Sequence, residues 1–123
     1  MERTFDLEER LIHFSVAIIK LTEKFPRSFS GNHLASQLVR SGVSPSLQYG
    51  EAQAAESRND FIHKMKIALK ELREAQNGLK IVSQLSWLEM GIVSNEIKEC
   101  TELISIFVKC IQTAKKNNQL NIK

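Results

Sequence analysis

The apolar residues of this chain recur at steps of three and four. Near the N-terminus, Leu7, Leu11, Phe14, Ile18, Leu21 and Phe25 follow one another at intervals of 4, 3, 4, 3 and 4. That spacing lines six apolar side chains along one stripe of an α-helix. The same stepping returns at Phe61, Met65, Ala68, Leu72, Ala75, Leu79 and Val82, and again at Ile97, Cys100, Ile104, Phe107 and Ile111. A helix with one greasy stripe hides it only against other helices. Strand signals are nearly absent: there is no sustained two-residue alternation and no Asn-Gly or Asp-Gly hairpin turn.

Punctuation divides the chain into four helices. Pro26 cannot extend the first helix, which ends near Phe25. Ser28 or Ser30 caps the second. Its buried face opens with Leu34, Leu38 and Val39, then turns small at Ser41, Gly42, Ser44, Ser46, Gly50 and Ala52. Pro45 removes one hydrogen bond, to the carbonyl of Ser41, yet apolar and alanine content resumes at Leu47, Tyr49 and Ala52. The pattern predicts a kinked but continuous helix. Ser57 with Asp60 caps the third helix, and Gly78 inside it costs about 1 kcal/mol, too little to end so periodic a run. A turn is placed over Trp87–Val93, with Ser94 capping the last helix and Glu96 in its first turn. The predicted fold is all-α: an antiparallel up-down four-helix bundle with a Pro-kinked second helix, one domain spanning residues 1–123.

Composition narrows the functional classes. Apolar residues are 42% and charged residues 25%, which argues for a globular core and against disorder. No apolar run approaches the roughly 18 residues of a membrane span, and Met1-Glu2-Arg3-Thr4 opens no signal-peptide apolar region, so a cytoplasmic location and no membrane partner are expected. Cys100 and Cys110, placed on one helix, stand about 15 Å apart, too far for a disulfide. The net charge of +3 is spread evenly, with no acidic or basic tail.

Two features exceed what one bundle needs. On a helical wheel Ile12, Val16 and Ile19 fall opposite Phe14 and Ile18. Leu103, Ile106 and Cys110 widen the apolar arc of the last helix to about 200°. Ile12, Val16, Ile19, Leu103 and Ile106 are therefore candidate contacts with a second copy of the chain. The third helix also separates its charges, with Lys66, Lys70, Arg73 and Lys80 on one flank and Asp60, Glu71 and Glu74 on another. This is either a basic stripe for a nucleic-acid backbone or a solvated face laced by pairs such as Asp60–Lys64 and Lys70–Glu74. The one Trp, one Tyr and six Phe fall mostly at core positions and leave no base-stacking platform in view. Arg40 and Glu51, with Glu56, can form buried or interfacial ion pairs or lie exposed.

Chemistry-bearing motifs are missing. Asp60 and His63 have the i,i+3 spacing of bundle metal sites, but such sites need a second motif and two inward carboxylates, and His13 and His33 lack matching partners. No metal or cofactor is expected. There is no Gly-x-Ser-x-Gly elbow, no phosphate loop and no dinucleotide fingerprint, so no catalytic residue is assigned.

The stretches Gln37-Leu38-Val39-Arg40-Ser41-Gly42-Val43-Ser44, Gln48-Tyr49-Gly50-Glu51-Ala52 and Arg58-Asn59-Asp60-Phe61, followed by Lys64–Glu74, resemble the four-helix-bundle family of 23S rRNA intervening-sequence proteins, relatives of the accessory variability proteins of diversity-generating retroelements. Arg40, Ser44 and Glu51 fit the family pattern and Asp60 lies within the matching stretch, whereas Gln48 stands in place of the usual Asn and Ala52 in place of the usual Gly. The resemblance implies a ring-like homopentamer with a basic surface and no enzymatic activity. Five copies would carry about +15. It also points to RNA or DNA as a ligand. The alternative is a structural or protein-partner adaptor that binds no nucleic acid.

Overall fold

A computed structural model of the chain describes the backbone of residues 3–122 and the side chains of residues 7–117. Four helices follow one another: α1 (Arg3–Thr22), α2 (Phe29–Gln53), α3 (Arg58–Leu85) and α4 (Met90–Ile122). Each packs against the next in sequence, as in an up-down bundle, and α1 meets α4 along the least extensive seam. No helix among the described residues is long and apolar enough to cross a membrane.

The core is the set of stripes. All six positions from Leu7 to Phe25 are buried, although Phe25 lies beyond the end of α1. There its ring packs on Trp87 at 5.3 Å, closing one end of the bundle. Across the interior, Tyr49 of α2 meets Phe107 of α4 edge-on at 6.1 Å. In α3 the buried line is Ile62, Met65, Ala68, Leu72, Ala75, Leu79 and Val82. Ile62 rather than Phe61 opens that line: Ser57 accepts from the Asp60 N–H at 3.0 Å, and with this start Phe61 turns half outward.

α2 is shaped by closeness. Ser28 caps it, accepting from the Gly31 N–H at 3.0 Å, and the helix runs on through Pro45 to Gln53. A Cβ on Gly42 would lie 2.9 Å from two carbons of Ile18 on α1. One on Gly78 would lie 3.0 Å from a methyl of Leu38. The buried Ser15 hydroxyl donates to the Leu11 carbonyl at 2.9 Å and lies 3.2 Å from the Gly42 carbonyl, binding α1 to α2 at that level.

The turn into α4 differs from the sequence expectation. α3 ends at Ser86, whose φ of 57° is left-handed, with no glycine to mark the stop. α4 begins at Met90, its first N–H groups reaching the Glu89 carbonyl. Ser94 is therefore inside the helix and donates to Gly91 rather than capping, and Gly91 sits in the first turn. Leu103, expected on an outer face, is fully buried and belongs to the core with Phe107. It offers no surface to a second chain, while Ile106 remains half-buried.

Close packing sets opposite fates for two glycines. Gly42→Ala is expected to destabilise the fold by about 1–2 kcal/mol, because pressing a methyl onto the stiff, branched Ile18 outweighs the gain in helix propensity. Nothing lies within 4 Å of a Cβ at Gly50, so Gly50→Ala should stabilise by about 1 kcal/mol. Urea unfolding of both variants checks the pair.

Candidate nucleic-acid interface

The outer face of α3 carries Lys66, Lys70, Arg73 and Lys80, all exposed. Their spacing keeps them within about 80° of one another around the helix, on the side away from its buried line. The first three, with Leu69, Glu74 and Asn77, line a shallow depression of about 360 Å³. Lys80 lies outside that lining, toward α4, where its charge reaches the Cys100 thiol. None of the four forms an ion pair among the described residues.

They are left free because their neighbouring acids are taken. Arg40, projecting from α2, donates to Glu71 and to Glu74, each at 2.7 Å. Hydrogen bonding from Glu74 and the charge of Glu71 hold its guanidinium above its ordinary pKa. The expected Lys70–Glu74 pair does not form, since Glu74 turns to Arg40. One turn from the end of α2, Glu51 lies 3.5 Å from Lys64, which also meets Asp60 at 3.7 Å. Arg40 and Glu51 thus stitch α2 to α3, while Asp60 pairs with Lys64 within α3. Glu56 takes no part in the stitch. Arg40 and Glu51 are exposed, so these pairs contribute geometry more than stability. Ser44 is half-buried on the same helix. Gln48 has its side-chain carbonyl oxygen buried without a hydrogen-bond partner among the described residues.

A second charged cluster closes the α1–α4 seam. Arg10 makes a two-pronged contact with Glu99 at 2.8 and 3.0 Å and reaches Glu102 at 2.8 Å. Glu99 is the main cause holding that guanidinium above its ordinary pKa. Nearby, half-buried Glu96 is pushed above the usual carboxylate range, chiefly by desolvation and then by Glu99. Cys100 donates to the Leu72 carbonyl at 3.3 Å, and burial pushes its thiol up to about 12. Both cysteines are free.

The exposed apolar stripe of α1 is present, with Ile12 46%, Val16 44% and Ile19 38% exposed. A surface depression of about 640 Å³ lies between the α2–α3 turn and α4, where Arg58, Lys109, Thr113 and Glu56 surround Phe61 and Cys110. Burial raises the Cys110 pKa, which keeps it protonated and a poor nucleophile. His63 is exposed, and no group of three or more His, Cys, Asp or Glu able to hold a metal occurs among the described residues. Sequence reasoning missed one feature entirely: Phe29, the first residue of α2, is 87% exposed and stacks on His33. Its position directly after the Ser28 cap was the available signal, because the apolar stripe of α2 begins only at Leu34.

The fold and its charged seams define a small up-down helical bundle with a basic outer helix, sewn by ion pairs between its second and third helices. The model of the 23S rRNA-intervening sequence protein family matches residues 3–109, and the chain belongs to that family. Among solved structures it is similar to a protein of unknown function from the S23 ribosomal protein family of Bacteroides thetaiotaomicron. The two share 27% identity at a TM-score of 0.79, over 85% of this chain and 97% of that one. No curated protein matches the chain.

The position of Glu96 has a consequence for pH. Its raised native pKa means that ionisation opposes folding, so its penalty is absent at low pH and grows as pH rises through the native value. Glu96→Gln should therefore raise the Tm at pH 7, and the gain should shrink as pH falls and vanish below the ordinary 4.5. Thermal unfolding followed by circular dichroism across pH 3.5–7.5 reads this out.

Proposed function

We propose that the chain is a non-enzymatic, self-associating module, a homopentamer in its working form, that binds RNA or DNA through the outer face of α3. The observation that carries this reading is the freedom of Lys66, Lys70, Arg73 and Lys80, while Arg40 occupies the neighbouring acids Glu71 and Glu74. A row of unpaired cations on a rigid helix follows a phosphate backbone without reading bases. Repetition of the row around a ring would multiply its field.

Self-association is supported by Ile12, Val16 and Ile19, which stay in solvent although the core already holds the other stripe of α1. On α2, Leu47 is 64% exposed and a Cβ at Gly50 would meet open space, so this helix too carries exposed apolar surface. The adaptor reading keeps one specific support: Leu85 and Met90 are exposed on either side of the α3–α4 turn, where a protein partner could cover them.

Two measurements test the proposal. Binding of labelled RNA should weaken steeply as salt rises, and replacing Lys66, Lys70 and Arg73 by Gln should lower the slope of log K against log salt by about 0.7 for each cation removed. Failure to bind at low salt, or binding indifferent to salt, rejects the interface. In light scattering the parent chain should run near five times its 14.0 kDa mass, and Val16→Glu should reduce it to single chains. An unchanged mass rejects that association surface.

A further inference from the structure

The α1–α2 turn holds an aromatic ring in water beside unpaired cations. Phe29 is 87% exposed, and the ring of His33, one turn on, lies 6.2 Å away and within 10° of parallel. The turn itself is firmly built. The Ser28 N–H donates to the Pro26 carbonyl at 3.1 Å, and the Asn32 N–H to the Ser28 carbonyl at 2.9 Å. Gly31 is pressed so close that a Cβ there would collide with the Pro26 carbonyl oxygen. Phe29 is thus presented by a fixed backbone with His33 bracing one side.

The charges nearest the ring in sequence are positive, although Glu23 shares with Arg27 the lining of a depression beside the turn. Lys24 and Arg27 are exposed and make no ion pair among the described residues. No carboxylate occurs between Lys24 and His33, and the first turn of α2 carries no acidic residue. The positive end of the α2 dipole adds to the same field. An exposed, braced aromatic beside free cations suits a ligand that brings both a flat π-face and negative charge. The residues flanking Phe29 are Arg27, Ser28, Ser30 and Asn32, which are polar, so a lone ring offers too little apolar area for a stable protein interface.

We infer that the α1–α2 turn is a stacking site for an unpaired nucleobase of single-stranded RNA or DNA, with Phe29 as platform and Lys24 and Arg27 contacting flanking phosphates. The inference rests on the nucleic-acid reading of α3 and adds a preference for single strands, since a duplex keeps its bases stacked inside. Position agrees with it. α2 and α3 run antiparallel with Leu38 against Gly78, so Lys80 and Phe29 are separated by only about 10 Å along the bundle axis.

Fluorescence anisotropy with a short uridine oligonucleotide and with a duplex RNA of equal length tests the site on the full chain. Phe29→Ala should weaken the single strand by roughly fivefold to a hundredfold with the salt slope unchanged, and should hardly alter duplex binding. Phe29→Trp should keep single-strand affinity, and Lys24→Gln with Arg27→Gln should lower the slope. If Phe29→Ala leaves single-strand affinity intact while Gln at Lys66, Lys70 and Arg73 weakens it, the stacking site is refuted and the α3 interface survives. If the parent chain binds neither probe at low salt, both fall. A fall in oligomer mass on Phe29→Ala would assign the ring to an interface between chains and overturn the site.

Discussion

The close approach of α2 to its neighbours is the constraint on which the rest depends. Gly42 lets α1 bring Ile18 against the α2 backbone, and Gly78 lets Leu38 of α2 settle on α3. Larger residues at either place would push the helices apart. With the helices this close, Arg40 spans from α2 to two acids of α3, and Glu51 comes within reach of Lys64. The small-residue segment therefore determines packing first and electrostatics second. It decides which charges are neutralised on the seam and which remain in solvent.

That division of charge is more informative than the net value. The chain carries only +3, and its linear order shows no acidic or basic tail. Folding creates the asymmetry. Glu99 and Glu102 turn to Arg10 on the α1–α4 seam, while Glu71 and Glu74 turn to Arg40 on the α2–α3 seam. These four carboxylates are held on the seams between helices, and Lys66, Lys70 and Lys80 stay on the crest of α3 while Lys64 is held at the α2–α3 seam. The family pattern at Arg40 and Glu51 acquires a physical meaning in this light, because both join α2 to α3.

Much of this was legible from residue spacing. The steps of three and four in α1 and α3 located the core, since periodicity reports the buried face directly, and Ser28 and Ser57 capped where a side-chain oxygen before an apolar run should. The misreadings have separate causes. Ser94 offered a better cap than Glu89, yet the helix starts earlier, at Met90, with the Ile92 N–H already donating to the Glu89 carbonyl. Leu103 looked surplus because α4 is apolar over a wide arc, and only the packed structure shows that α4 buries Leu103 as well as the stripe of Cys100, Ile104, Phe107 and Ile111. The pairing of Glu74 with Arg40 rather than Lys70 lies beyond any local rule, as the residues are 34 apart in sequence. The exposed ring of Phe29 escaped because an aromatic is assigned to the interior by default.

The Arg10 clamp carries a separate implication. The first and last helices share the smallest interface in the bundle, and a single guanidinium gripping two carboxylates spans it. The cylinder is therefore not equally strong around its circumference. A motion that lifts α1 away from α4 would disturb fewer neighbours among the described residues than one that parts α2 from α3. Because the Arg10 clamp is ionic and partly open to solvent, added electrolyte weakens it.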